Sequence, residues 1–308
     1  MPKHTLTASR GFTLVEMAIV LLIIGLAAGM VLTVSGSMLD AQKRQTVRTQ
    51  LDTLDTALAN FVAVNKRLPC PADGTIASGM LNAGVEMPIV PTGLCNPPLQ
   101  TNGVIPWVTL GLTESGGSDP WFGRFTYRVQ PALVSSLTPL MDMSNCDPAG
   151  IGAAGPGGIC QTPCVGTACT SPTNFLSNKG LDVWNGDPDP ASAAGWATRV
   201  NNPVLGTGAA YVIISHGPSG GGAYNYRGLL QPGSIPVGPN ETPNLNNQAI
   251  LLPPSVSPKA YRDAQLNDNG TGTVLIPVLV WGRHFDDYLS HPTIMSVLNK
   301  ANLGPRAH

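Results

Sequence analysis

The strongest pattern in the chain is an uncharged apolar run near its N-terminus. Residues 17–34 contain no charged side chain and consist mainly of Ile, Leu, Val, Ala and Met. As an α-helix this run would rise about 27 Å, at about 1.5 Å per residue, which is close to the thickness of the hydrocarbon core of a bilayer. The pattern therefore predicts a membrane-spanning segment.

An amphipathic pattern follows at residues 47–62. Apolar side chains recur there at steps of three or four positions, and they are Val47, Leu51, Leu54, Leu58 and Phe61 or Val62. This spacing is typical of one apolar helix face, and we expect it to pack on the chain's own domain rather than to form a free coiled coil. Because residues 12–68 contain no proline, a single helix over residues 12–66 is predicted. Pro69 and Pro71 then end it.

The remaining part of the chain predicts short strands separated by many turns. The strand candidates are residues 125–129, 209–215 and 273–281. In the first, Phe125, Tyr127 and Val129 alternate with other residues as in a half-buried strand. The second is followed by a glycine-rich turn, and a proline in the third indicates an edge strand or a bulge. Residues 294–303 predict a short C-terminal helix.

Composition and charge refine this picture. The chain contains 35 Gly and 29 Pro, only 11% of its residues are charged, and its net charge is −1. A hydrophobic content of 43% is enough to form a core, so this is not the composition of a disordered chain. The chain has no basic patch interleaved with aromatic residues, and we expect no nucleic-acid partner.

Six cysteines all follow the apolar run, and they are Cys70, Cys95, Cys146, Cys160, Cys164 and Cys169. In an exported domain they are disulfide candidates. The last three do not form the C-x2-C pairs of common zinc ribbons, so we favour structural disulfides over a metal site. The sequence does not choose among the pairings.

Charged residues frame the start of the apolar run, with Lys3 and Arg10 before it and Glu16 at its head. A cleaved secretory signal is one interpretation, since residues 34–36 fit a small-residue cleavage site. However, a carboxylate at the head of a lipid-embedded helix is costly and has no use in a signal peptide. Glu16 therefore favours a retained helix in which the charge has a partner.

Residues 10–16, Arg-Gly-Phe-Thr-Leu-Val-Glu, resemble the processing site of type IV pilins and type II secretion pseudopilins. The resemblance implies that prepilin peptidase cuts after Gly11 and that Phe12 becomes the N-methylated first residue. It also implies that Glu16 neutralises the amino terminus of a neighbouring subunit in the filament.

Two stretches further along resemble the same superfamily. Residues 57–69 are similar to the end of the pseudopilin helix, and residues 119–129 resemble the Asp-Pro-Trp-Gly turn and following strand of major pseudopilins. The chain lacks the proline that pilins often carry in the first half of the helix. Gly25 and Gly29 could supply a local weakness instead, because glycine lowers helix propensity.

The resemblance implies an α+β, pilin-like fold, in which a long N-terminal helix packs on an antiparallel β-rich globular head. The implied parts are a leader (residues 1–11), a transmembrane part (12–34) and an amphipathic part (35–66) of the helix, and a cysteine-containing head (67–308). Because basic leaders stay in the cytoplasm, we expect a single pass through the inner membrane with the head in the periplasm. Assembly into a filament in the periplasm or at the cell surface would follow. The implied partners are other pilin or pseudopilin subunits, prepilin peptidase, the inner-membrane assembly platform and the membrane itself.

Calcium is the one cofactor that the resemblance suggests, since major pseudopilins hold it in a late loop. Residues 267–270, Asn-Asp-Asn-Gly, invite this interpretation, but Gln265 and Ile276 stand where an EF-hand needs acidic ligands. An irregular oxygen-lined site that uses Asp263 or Asp268 is the hypothesis that is left.

An enzymatic alternative rests on Ser219, which lies in a Gly-Pro-Ser-Gly-Gly sequence with Asp286 and His291 following in hydrolase order. A nucleophile elbow needs a helix directly after the serine, whereas residues 223–232 show no helical periodicity. We therefore expect a turn at this position and a chain that is not an enzyme.

The leading hypothesis is a structural minor subunit of a type II secretion pseudopilus or a type IV pilus. The length of the chain and its cysteine-rich segment at residues 146–169 also suit an adhesin at a filament tip. A secreted serine hydrolase is the remote alternative.

Overall fold

The structure, a computed structural model, describes residues 13–87, 95, 103–135, 137–138, 140–161, 164, 169–185, 198–232, 240–246, 261–264 and 285–308. The side chains of residues 27–37 lie outside this description. The chain divides into two compact units, Met1–Thr46 and Val47–His308, and each is described by itself.

Helix α1 spans Leu14–Asn65, which confirms the predicted single N-terminal helix. It continues through Gly25 and Gly29 because glycine lowers helix propensity without breaking a helix as proline does. In the first unit, the side chains of residues 13–26 are exposed. When only the described residues are considered, no helix is long and apolar enough to cross a membrane.

In the second unit, the apolar face of α1 forms one wall of the main core. Its buried members are Val47, Leu51, Leu54, Leu58 and Val62. The predicted packing face is thus confirmed, with Val62 rather than the half-buried Phe61 as its last member. Burying each leucine of this kind contributes roughly 1.5–3 kcal/mol, so the face fixes this part of the helix on its own domain.

Eight short strands are present in the described part of the chain. They are β1 (Ala72–Asp73), β2 (Gly103–Val104), β3 (Thr126–Val129), β4 (Val183–Trp184), β5 (Arg199–Asn201), β6 (Tyr211–Ser215), β7 (Tyr261–Arg262) and β8 (Tyr288–Ser290). The main sheet has the order β1-β2-β3-β6-β8, and all its neighbours are antiparallel. Its core residues belong to the same apolar cluster as the buried face of α1.

A second, three-stranded sheet has the order β5-β4-β7. Strands β4 and β5 pair antiparallel, whereas β4 and β7 pair in parallel. Val183 and Tyr261 from this sheet share a second apolar cluster with Val212 and Ile214 of β6. Strand β6 is therefore covered on both faces, since its Tyr211 joins the cluster that contains α1.

Strand β3 corrects one expectation. All four of its residues are buried, so the prediction of a half-buried strand is wrong. The face that carries Thr126 and Arg128 is covered by the segment at residues 245–246, because Asn246 and the Leu245 carbonyl bond to these two side chains. Alternation of apolar and polar residues does not require solvent on the polar face when that face finds buried hydrogen-bond partners.

Two further helices are α2 (Pro172–Leu176) and α3 (Ile294–Lys300). Helix α3 confirms the predicted C-terminal helix, and Thr293 caps it by accepting from the Ser296 N–H. Short 3-10 helices lie at Glu114–Gly117, Pro131–Val134, Pro156–Gly158, Pro203–Leu205 and Thr242–Asn244. The strand expected at residues 273–281 lies outside the described residues.

Candidate processing and assembly site

The first turn of α1 is closed by a reciprocal pair, Thr13 and Glu16. The backbone N–H and the hydroxyl of Thr13 both donate to Glu16 Oε2, and the Glu16 N–H donates to Thr13 Oγ1, each over 3.2 Å. This is a capping box, which satisfies backbone donors that the start of a helix leaves without an intrahelical partner. The carboxylate also lies where the helix dipole favours a negative charge.

The pattern Thr-x-x-Glu before an apolar run is the sequence signal of this box, although the interpretation from sequence gives Glu16 only an intermolecular role. The two roles are compatible. A carboxylate has two oxygens with about four acceptor sites, and both bonds from Thr13 use Oε2. Glu16 can therefore cap its own helix and accept a donor from another chain at Oε1.

Apolar side chains surround the start of α1, both before and after Glu16. The exposed ones are Leu14, Val15, Met17, Ile19, Val20, Leu21, Leu22, Ile23, Ile24 and Leu26. Residues 19–24 are consecutive, so they point to all sides of a helix with 3.6 residues per turn. A helix that is apolar all round needs cover from lipid or from other protein.

The predicted cleavage position Gly11 and the predicted first residue Phe12 lie outside the described residues. Their roles stay predictions from the sequence. What the structure adds is that the helix begins two residues after Phe12, so the cap at Thr13 belongs to the chain that cleavage after Gly11 would leave.

A comparison with known families decides what this segment is. Residues 6–32 match the family model of the prokaryotic N-terminal methylation motif. This segment is the type IV pilin and pseudopilin signature. The methylation motif includes Gly11, Phe12 and Glu16 together, and it is found in pilin-like subunits that are processed by prepilin peptidase.

No curated protein and no solved structure matches the chain. The methylation motif ends at residue 32, so it does not extend into the second unit. The candidate chemistry of that unit is therefore judged from its geometry.

Ser219 lies in the turn after β6, where its side chain fastens the turn to Asp286. The Ser219 hydroxyl lies within hydrogen-bond reach of two acceptors, Asp286 Oδ1 (3.0 Å) and the His216 carbonyl (3.2 Å), and the Ser219 N–H donates to Asp286 Oδ2 (2.8 Å). Residues 217–224 contain turns and a bridge but no helix, as expected from the sequence. Burial raises the pKa of Asp286, and the adjacent Glu241 carboxylate raises it further.

His291 does not complete a triad with these residues. Its Nε2 lies 3.2 Å from Asp263 Oδ2, while the described partners of the Ser219 hydroxyl are a carboxylate, a carbonyl and the Gly221 N–H. A serine nucleophile needs a base within hydrogen-bond reach that can take its proton. The geometry therefore favours a structural role for Ser219.

Carboxylate oxygens of Glu241, Asp286 and Asp287 lie within 4.8 Å of one another, and oxygen ligands are those that calcium prefers. Asp263, the predicted calcium ligand, pairs instead with His291. Asp268 lies outside the described residues. Calcium binding through Asp263 or Asp268 stays a prediction.

His216 is fully buried and joins a chain of polar contacts. Asn246 Nδ2 donates to Thr126 Oγ1 (2.6 Å), and Thr126 Oγ1 lies 2.8 Å from His216 Nε2. Nδ1 faces Asp287 Oδ1 at 3.5 Å. These contacts join Thr126 of β3 to His216 and Asn246, which are 90 and 120 residues away in sequence.

The six cysteines form three disulfides. The pairs are Cys70 with Cys95, Cys146 with Cys160, and Cys164 with Cys169. Asp147 lies near the last pair, but disulfide sulfurs are not thiolates, and thiolate is the form that binds a metal. The first disulfide fastens the loop after α1, and the other two fasten residues 146–169.

Proposed function

We propose that the chain is a non-enzymatic structural subunit of a type II secretion pseudopilus or a type IV pilus. The methylation motif at residues 6–32, which includes the first part of α1, is the observation that carries the proposal. In this proposal prepilin peptidase cuts after Gly11, residues 12–34 hold the subunit in the inner membrane, and the second unit is the head in the periplasm. The subunit then enters a filament through α1.

Glu16 gives assembly its driving force in this proposal. Apolar burial alone does not favour leaving the membrane, because lipid tails are as apolar as leucine. A carboxylate in lipid without a positive partner costs up to about 2.5–3.5 kcal/mol, and less near the interface. Pairing of Glu16 with the amino terminus at Phe12 of a neighbour removes that cost, and it fixes the register of adjacent helices.

Three variants test the proposal in cells that assemble the filament. Glu16→Gln keeps a capping-box side chain but removes the charge, and Glu16→Ala removes both. We expect both variants to reach the membrane and neither to form filaments by electron microscopy. Gly11→Val should retain the leader, visible in the intact mass as residues 1–11 still attached. Normal filaments from Glu16→Gln would contradict the role of the charge.

A filament-tip adhesin is the second candidate. It is favoured by residues 146–169, where two disulfides fasten a segment that carries the exposed Ile151. Immunogold labelling distinguishes the candidates. A minor adhesive subunit would be labelled only at tips, whereas a shaft subunit would be labelled along the filament.

A further inference from the structure

Phe122 combines two features that seldom occur together. Its side chain is 76% exposed, and its backbone φ is +69°, a left-handed conformation that is a genuine outlier for a bulky residue. Because the phenyl ring is in solvent, burial within its own subunit does not offset this strain. A strained residue whose side chain is mostly exposed is a reason to look for a function.

The conformation of Phe122 is imposed by its neighbour Asp119. Asp119 Oδ1 accepts from the N–H groups of Trp121 (3.0 Å) and Gly123 (2.9 Å), and Oδ2 accepts from the Ser215 hydroxyl (2.7 Å). These bonds fix the turn whatever residue stands at position 122. Glycine would adopt the same turn without strain, so the aromatic ring is not there for the sake of the turn.

A second hairpin tip lies beside the first. Antiparallel bridges join four residues in a row, in the order Ser118, Arg124, Tyr224 and Leu230. Neighbouring segments in this row run in opposite directions. The two turns that connect them, at residues 119–123 and 225–229, therefore lie at the same end of the row. The tips are separated by about two strand spacings, roughly 10 Å. We call Phe122 on the first tip, with Tyr226 and Arg227 on the second, the aromatic knob.

The knob is exposed and positively charged. Tyr226 is 54% exposed, Arg227 is exposed, and the Arg227 guanidinium lies 5.5 Å from the centre of the Tyr226 ring. Aromatic residues and arginine are the types that dominate binding energy at protein interfaces. The knob is therefore suited to insertion into an apolar site that carries a negative charge.

An open groove of about 730 Å³ runs along α1 in the second unit. Phe61 and Val64 line it from the helix, and Leu110 and Leu112 line it from the facing loop. Asp52 is the only charged side chain among the described residues that line it. The volume is within the range of sites that hold drug-sized ligands, so the groove has room for an aromatic ring and the turn that carries it.

We propose that the aromatic knob of one subunit docks in the α1 groove of a second copy of this chain. The proposal rests on the proposed filament function, because an open filament requires two different, complementary surfaces on every subunit. The knob is aromatic and carries Arg227, and the groove exposes more apolar than polar surface and carries Asp52. The exposure of Phe122 shows that the knob does not fill the groove of its own subunit.

Photo-cross-linking tests the contact in assembled filaments of the full chain. With p-benzoylphenylalanine in place of Phe122, irradiation should give a dimer whose cross-linked peptide comes from residues 49–65 or 109–112. The same probe at Leu205, which is 69% exposed, is the matched control and should not reach these peptides. Cross-links from position 122 only to other regions, or to another protein, would overturn the proposal.

A charge exchange tests the pairing of the two surfaces. Arg227→Glu or Asp52→Lys alone should lower the yield of the cross-linked dimer about two- to fivefold, as expected for a partly exposed ion pair. The double variant should restore the yield. If the double variant loses as much cross-linked dimer as the single variants, Asp52 and Arg227 are not partners.

Phe122→Gly separates docking from folding. It relieves the backbone strain, so the melting temperature of the head should stay the same or rise while the filament yield falls. An unchanged filament yield from this variant would overturn docking through the aromatic knob. It would leave the proposed function intact, provided that Glu16→Ala still abolishes the filaments. A wild-type chain that forms neither filaments nor dimers would overturn both.

Discussion

Two of the carboxylates on helix α1, Glu16 and Asp55, have different surroundings. Glu16, in the first unit, is exposed, and its described partner Thr13 is three residues away. Asp55, in the second unit, is half-buried and accepts from the Tyr211 hydroxyl (2.9 Å) and the Ser290 hydroxyl (2.7 Å), which are 156 and 235 residues away in sequence.

The difference shows how one helix serves two purposes. In the first unit the described polar contacts of Glu16 are local, so the surrounding apolar side chains stay available to lipid or to other subunits. In the second unit the helix is committed to its own domain, because its apolar face is buried and its carboxylate is bonded to two strands. Substitutions in the two parts should therefore affect different measurements.

The largest expected contrast is between Leu54→Ala and Leu22→Ala. Leu54 is fully buried and Leu22 is 63% exposed. Truncating a buried leucine costs about 2–5 kcal/mol, so we expect Leu54→Ala to lower the free energy of unfolding of the head by that amount. Leu22→Ala should change it by less than about 0.5 kcal/mol. Urea titration of the full chain in detergent, followed by near-UV circular dichroism, measures both.

A comparable loss of head stability in Leu22→Ala would contradict this division of the helix. The filament yield should respond to Leu22→Ala although the stability of the head does not. We expect Leu22→Ala to lower it through weaker helix packing, although the head remains folded.

The second contrast concerns Asp55. Asp55→Ala leaves the hydroxyls of Tyr211 and Ser290 without their acceptor, which should cost about 1–3 kcal/mol of head stability. Asp55→Asn is the matched control, because it keeps an acceptor and the size of the side chain. We expect it to lose less, as measured by the same urea titration.

The pH dependence of Asp55 has a definite sign. Burial raises its pKa above the ordinary value of 3.8, although the bonds from Ser290 and Tyr211 oppose the rise. Just above 3.8 the folded chain then binds more protons than the unfolded chain, so stability from this group falls as pH rises through the raised pKa. The stability of the wild type relative to Asp55→Asn should therefore be greater near pH 4 than near neutral pH. The reverse trend would contradict the raised pKa.

The same comparison explains what could be predicted from the sequence. Helix α1, its buried face and the motif around Glu16 are predictable because their signals lie within a few residues of one another. Strands β3 and β6 and helix α3 are also recognisable locally. Strands β4 and β7 are not, because each has two residues, too few to show a period, and their pairing joins distant segments.

Buried polar residues were equally inaccessible to sequence reasoning. Arg124 is 1% exposed because its guanidinium donates to the carbonyls of Gly74 and Ile76 and to the Glu114 carboxylate. No sequence pattern near Arg124 predicts that these two distant carbonyls accept hydrogen bonds from it. The aromatic knob is not predictable from the sequence for a related reason, since the φ of Phe122 follows from hydrogen bonds to Asp119 that only the folded turn reveals.

The smallest expected effect separates the two roles of Glu16. Thr13→Ala removes the cap but keeps the carboxylate, and it should destabilise the first turn of α1 by about 1 kcal/mol. Faster amide exchange at residues 14–17 in detergent would measure this, whereas Glu16→Gln should keep most of the protection. Filament assembly should show the opposite order, because Thr13→Ala retains the charge that Glu16→Gln lacks. If Thr13→Ala fails to assemble while Glu16→Gln assembles, the cap rather than the charge is what assembly requires of Glu16.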